Sequence, residues 1–96
     1  MKFDEYYKLY MSLHKNKWNR RLHVIGQVMT IVFVSFCIYQ QYYMLLLMSP
    51  FVVYPFAWSG HYFFEKNKPA AFSDPVKAKL ADWVMFKNWI LGRIER

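Results

Sequence analysis

The sequence predicts an all-α integral membrane protein: a hairpin of two transmembrane helices flanked by N- and C-terminal amphipathic helices lying at the interface. Three observations carry this reading. The run Leu22–Phe64 contains no Asp, Glu, Lys or Arg. Eighteen or more apolar residues without charge already make a candidate span, and at ~1.5 Å per helical residue this run crosses a ~30 Å hydrocarbon core about twice. Charge collects at the two ends instead, with six Lys/Arg against two acids in residues 1–21 and seven against four in residues 65–96. Basic flanks favour the cytoplasmic side, so both termini are expected there and the number of spans is even. The aromatic content, 22%, is high and suits rings anchored at both bilayer surfaces.

The 96 residues are expected to form a single membrane domain. Residues 1–21 make a cytoplasmic amphipathic leader, 22–64 the transmembrane hairpin and 65–96 a cytoplasmic tail. The net charge of +7 could suit nucleic acid, but that reading wants a basic surface on a module without so long an apolar block. No nucleic-acid partner is expected. One cysteine permits no internal disulfide, and Cys37 reads as a small core or lipid-facing residue. The charged N-terminus lacks the short apolar core and small-residue cleavage site of a removable signal peptide. With no sorting signal visible, a bacterial cytoplasmic membrane is favoured over the endoplasmic reticulum.

Residues 3–18 read as one amphipathic helix with Phe3, Tyr6, Tyr7, Tyr10, Leu13 and His14 on its apolar side. That side suits the headgroup region, and Trp18, Arg20 and Arg21 mark the water boundary. The first span runs from Leu22 to Tyr39, where Gly26 offers close helix approach and Gln27 can bond across a bundle. The polar, uncharged segment Gln40–Tyr43 is the far-side turn. The second span, Met44–Phe64, contains Pro50 and Pro55, each expected to kink or break the helix. Lys66–Pro69 is the basic exit. Ser73-Asp74-Pro75 marks a helix start, with an Asp N-cap and Pro at the first helical position. The last helix, about Pro75 to Arg93, puts Val76, Leu80, Trp83, Phe86, Ile90 and Ile94 on one side and Lys77, Asn88 and Glu95 opposite, fitting a helix in the interface or, equally, one packed against the N-terminal helix.

The residues able to carry chemistry gather at the cytoplasmic mouths of this hairpin. His14 and His23 bracket the entry to the first span. His61 and Glu65, four apart, share a helix face at the exit of the second. Three imidazoles and a carboxylate suit a divalent first-row metal: imidazole favours Zn, Fe, Cu or Ni, and two His with one carboxylate point toward non-haem Fe(II) and oxygen chemistry. A single histidine at a membrane mouth is more often an interfacial amphiphile, so the argument rests on the set. Asp82, on the last helix, reads as a solvated residue or as a hydrogen-bond partner of a ligand. There is no Gly-rich phosphate loop, and Ser59 beside His61 makes a poor Ser/His pair.

Two stretches resemble a known family. His14-Lys-Asn16-Lys-Trp-Asn19-Arg-Arg-Leu-His23 resembles the H-x-N-x-x-N-x-x-x-H entry motif of the yeast-type 2-hydroxy fatty acid dioxygenases, and Gly60-His61-Tyr-Phe-Phe-Glu65-Lys66-Asn-Lys-Pro69-Ala70 resembles their G-H-x-x-F-E-K-x-x-P-A exit motif. The resemblance implies His14, His23 and His61 as iron ligands and Glu65 as ligand or neighbouring acid. Asn16 and Asn19 would hold imidazoles or substrate, and Lys66 is a further motif position. It implies an Fe(II)-dependent membrane enzyme, with Zn the alternative metal, that uses O2 to shorten a 2-hydroxy fatty acid or related lipid by one carbon through α-oxidation. Yeast-type members carry an additional central pair of spans that this chain lacks. A homodimer or higher homo-oligomer is expected, since two hairpins supply four helices. The competing readings are a non-enzymatic membrane scaffold or interaction subunit, and a metal-dependent hydrolase or metal-handling protein.

Overall fold

Where the periodicity of the first eighteen residues suggested one helix, the chain makes two. In the computed structural model, which describes residues 2–69 and 74–94, helix α1 spans Phe3–Ser12 and helix α2 spans Lys17–Gln40. The break falls at Asn16, whose backbone is extended (φ −78°, ψ 127°) and whose side chain accepts from the N–H of Trp18 at 2.8 Å. A capping Asn satisfies a donor that an uninterrupted helix would have bonded internally. The turn between the two helices holds His14.

Helix α2 is long enough to cross a bilayer, and it ends in a left-handed residue. Gln41 has φ 62°, the N–H of Tyr42 reaches the carbonyl of Cys37 at 2.8 Å, and that of Gln41 reaches Ile38 at 3.2 Å. These paired bonds are the Schellman closure of a helix. The return span divides as its prolines require. A 3₁₀ segment runs over Tyr43–Phe51, with Pro50 inside it; α3 follows over Tyr54–Gly60, with Pro55 in its first turn where no donor is needed; and a π-turn covers His61–Glu65. The run Tyr43–Glu65 and α2 are the two described segments long and apolar enough to span a membrane.

Helix α4 spans Pro75–Ile90 and begins as expected, with the carboxylate of Asp74 accepting from the N–H of Lys77 at 3.1 Å. Ala70, Ser73 and Glu95 lie outside the described residues. The inward side of α4 is the surprise. Ala78, Ala81, Asp82 and Met85 are buried, while Val76, Leu80 and Ile90 are exposed. Small residues let α4 close onto Tyr6 and Tyr10 of α1, with Phe3, Tyr7, Met11, Leu13 and Ile94 around the contact. The apolar side of α1 therefore covers α4 rather than pointing away from the protein. Asn88 of α4 also donates to the hydroxyl of Tyr7 at 2.9 Å. All described elements are helical, and Cys37 is fully buried.

Candidate metal centre

Two glycines set how closely the spans pack. A Cβ on Gly26 would meet Cγ2 of Val53 at 2.8 Å and the Cβ of Phe56 at 3.2 Å, and one on Gly60 would overlap the side chain of Asn19. Both positions are closed to any side chain without movement of the neighbour. With α3 drawn against α2 at Gly60, the next residue, His61, comes up beside His23. The turn after α1 adds His14 from above.

The three imidazoles form one buried group. His14, His23 and His61 are 0%, 3% and 1% exposed, and their ligand nitrogens lie within 4.8 Å of one another. The rings stand nearly perpendicular, with centroid separations of 4.6, 4.5 and 5.3 Å. Each Nδ1 has an oxygen partner. His14 Nδ1 lies 2.6 Å from the carbonyl of Tyr10, His23 Nδ1 lies 3.1 Å from Oδ1 of Asp82, and His61 Nδ1 lies 2.6 Å from Oδ1 of Asn67. Acceptors on three Nδ1 atoms assign the protons there and turn three Nε2 lone pairs inward. Among the described residues, Nε2 of His14 and of His23 are buried without a hydrogen-bond partner. A buried acceptor with no donor is costly, and a cation between the rings removes that cost. The donor set fits a first-row divalent ion.

One family-model match places the chain among known proteins. The family described as 2-hydroxy-palmitic acid dioxygenase Mpo1-like matches residues 1–94. The chain belongs to the Mpo1-like family. No curated protein and no solved structure matches it.

In this Mpo1-like chain the remaining motif residues build the frame around the imidazoles. The carboxylate of Glu65 accepts from the backbone N–H of Asn16 and from Nδ2 of Asn19, the latter at 3.4 Å. Glu65 thus ties the start of α2 to the end of the return span, and the group of converging ligand atoms consists of three imidazoles. The reason is local: the wider π-turn changes the bearing of a residue four positions on from His61. Asn16 approaches the carbonyl of Phe64 at 3.5 Å, and Asn19 is fully buried against Gly60. Lys66 is exposed and left-handed, with φ 57°. Its bend brings Asn67 back beneath His61.

Asn67 was not legible as a site residue. Besides facing His61, its N–H reaches the carbonyl of His61 at 3.2 Å and its Nδ2 donates to the carbonyl of Leu13 at 3.1 Å. It therefore fastens His61 to the turn that carries His14. The one available signal was its place between an ion-flanked Glu65-Lys66 and a helix-stopping Pro69, which reads equally well as a plain exit loop. Asp82 takes the ligand-supporting role that its sequence left open; it is 6% exposed. Tyr10 contributes in three ways. Its carbonyl orients His14, its ring stacks on that imidazole at 4.0 Å, and its hydroxyl bonds Asp82.

The electrostatics agree with a neutral His14. Burial, followed by the proximity of His23, pushes the pKa of His14 well below the usual histidine range. Burial and the charge of Asp82 push the Tyr10 hydroxyl well above its usual value, so it stays a donor. The cavity beside the rings has a volume of about 20 Å³ and is bordered by Tyr54, Ala57, Trp58 and Lys79. That is room for about one water-sized group.

Proposed function

We propose that this chain is a membrane-embedded Fe(II) dioxygenase that shortens a 2-hydroxy fatty acid by one carbon, taking its substrate from the bilayer. The observation that carries the reading is the trio of buried imidazoles with every Nδ1 facing an acceptor. His14, His23 and His61 would hold the ion. When bound, iron supplies electrons to dioxygen and a template for the substrate head. The protein's own residues do the rest. Tyr10, Asp82 and Asn67 fix ring orientation and tautomer; Gly60 and Gly26 set the spacing of the spans. The small cavity, with room for about one water-sized group, limits water near the reacting carbons.

In this reading both termini face the cytoplasm and the hairpin places the histidine mouth at the membrane surface, where a free acid head resides. Bulky apolar residues exposed along α2, among them Ile31, Val32 and Phe36, suit lipid tails or a second hairpin, and the homodimer belongs to the same proposal. The test is anaerobic loading of purified protein with Fe(II), followed by O2 and 2-hydroxypalmitate. Stoichiometric metal, oxygen consumption and an acid one carbon shorter are expected, all lost in His23→Ala and His61→Ala.

A three-histidine donor set is also that of some catalytic zinc sites, which keeps one second reading: a zinc-dependent hydrolase. It predicts retention of Zn in preference to Fe(II) and turnover without oxygen.

A further inference from the structure

The cavity beside the imidazoles is too small for an acyl chain, so any lipid reaching it must lie outside. A second depression adjoins it. This open groove, with a volume of about 350 Å³, is bordered by Pro50, Tyr54, Pro75, Val76, Lys79 and Leu80. Tyr54 and Lys79 border both spaces, so the groove meets the histidine cavity across these two side chains. Its walls are apolar, and Val76 and Leu80 are 71% and 55% exposed.

Lys79 is the one cation bordering either space among the described residues. Its ammonium donates to the carbonyl of Pro50 at 2.5 Å and sits 5.0 Å from the centroid of the Tyr54 ring. A lysine ammonium has three donors, of which that carbonyl takes one. Asp82 acts on Lys79 electrostatically but faces His23 and Tyr10, and no carboxylate oxygen forms an ion pair with Lys79 among the described residues. Half-buried and poorly solvated, it has its pKa lowered by burial. A cation in this position gains from an anionic partner that also brings apolar surface.

We infer that Lys79 binds the carboxylate of a single-chain fatty acid whose tail lies along the Pro50–Tyr54–Val76–Leu80 groove. The acid's α-carbon then sits at the cavity mouth, next to the imidazoles. Lys79 is thereby a substrate-positioning residue: it selects a free acid over a neutral lipid and fixes which end enters. The charge complementarity of one ammonium within an apolar trough commits the groove to an anionic amphiphile rather than to a second copy of the chain. This inference rests on the dioxygenase reading for the identity of the acid, not for its charge.

The test is equilibrium binding of radiolabelled 2-hydroxypalmitate and of its methyl ester to the full chain in neutral-lipid nanodiscs, without metal. Wild type is expected to bind the acid about ten-fold tighter than the ester, in line with a charged hydrogen bond. Lys79→Gln should abolish that preference, Lys79→Arg should keep most of it, and Lys8→Gln on the exposed side of α1 should leave it intact. Circular dichroism and melting of each variant verify folding. An equal affinity of wild type for acid and ester overturns the inference, as does an unchanged preference in folded Lys79→Gln. If oxygen is consumed with 2-hydroxypalmitate but Lys79→Gln keeps the acid preference, the groove assignment fails while the dioxygenase reading stands. If acid binding depends on Lys79 yet no oxygen is consumed, the groove stands and the oxygenase reading fails.

Discussion

Removing the side chain of Asn67 is the sharpest probe of how the centre is held. Asn67→Ala deletes two hydrogen bonds, from His61 Nδ1 at 2.6 Å and to the Leu13 carbonyl at 3.1 Å, and keeps the backbone bond to His61 at 3.2 Å. Each lost bond is worth ~1 kcal/mol net, and each part-buried partner left unpaired adds ~1 kcal/mol or more. The expected destabilisation is about 2–4 kcal/mol. With Nδ1 unrestrained, His61 is free to change tautomer and rotate, so metal affinity should fall on the order of 10–100-fold. Melting of the detergent-solubilised protein reads the first quantity, and chelator competition with Fe(II) or Co(II) reads the second. Asn67→Asp separates them: it retains an acceptor for His61 but loses the donor to Leu13, so affinity should recover while stability does not. Wild-type affinity and melting temperature in Asn67→Ala would refute the assignment.

Three other outcomes follow from the same geometry. Gly60→Ala should lower stability by about 1–3 kcal/mol through overpacking and reduce metal occupancy, and Asn19→Ala should partly relieve it, since the nearest obstructing atoms belong to that side chain; melting of both single variants and the double variant checks this. The pKa of His14 is lowered on folding, so the folded state binds fewer protons than the unfolded chain. Stability is therefore full above the unfolded histidine value of about 6.5 and falls as pH drops below it; His14→Gln should flatten that slope in melts of metal-free protein between pH 7.5 and 5. Gln41→Gly, at a left-handed position with φ 62°, should stabilise by up to about 1 kcal/mol, measured by denaturant unfolding, because glycine relieves a strain of ~1–2 kcal/mol but loses more chain entropy.

Much of the fold was legible because composition alone dictates it. An uncharged run of this length has one economical solution in a bilayer, and Pro50, Pro55, Asp74 and Pro75 announce where helices break and begin. The three histidines were legible as a set because the hairpin brings its mouths together. Their supports were not. Asn67 reaches His61 only through a left-handed Lys66, a conformation that a lysine does not advertise. The break at Asn16 lay hidden in a heptad-like aromatic pattern, since Asn serves as well in a solvated turn. On α4 the bulky apolar stripe drew attention away from Ala78, Ala81 and Asp82, although a small-residue face is what allows close contact. Glu65 belonged to the motif, and the π-turn redirected it to Asn16 and Asn19; no periodicity argument anticipates a π-turn.

The contact between Asp82 and His23 spans most of the chain and has a consequence for biogenesis. His14, His23 and His61 all precede α4, so a nascent chain that has formed α2 and the return segment owns every imidazole before Asp82 has docked. Until then His23 lacks the acceptor that fixes its proton, and a captured ion would meet a ligand of undefined tautomer. In the proposed metalloenzyme, docking of α4 would thus act as an assembly checkpoint: a metal ion held firmly by the three imidazoles would report that the last helix has arrived.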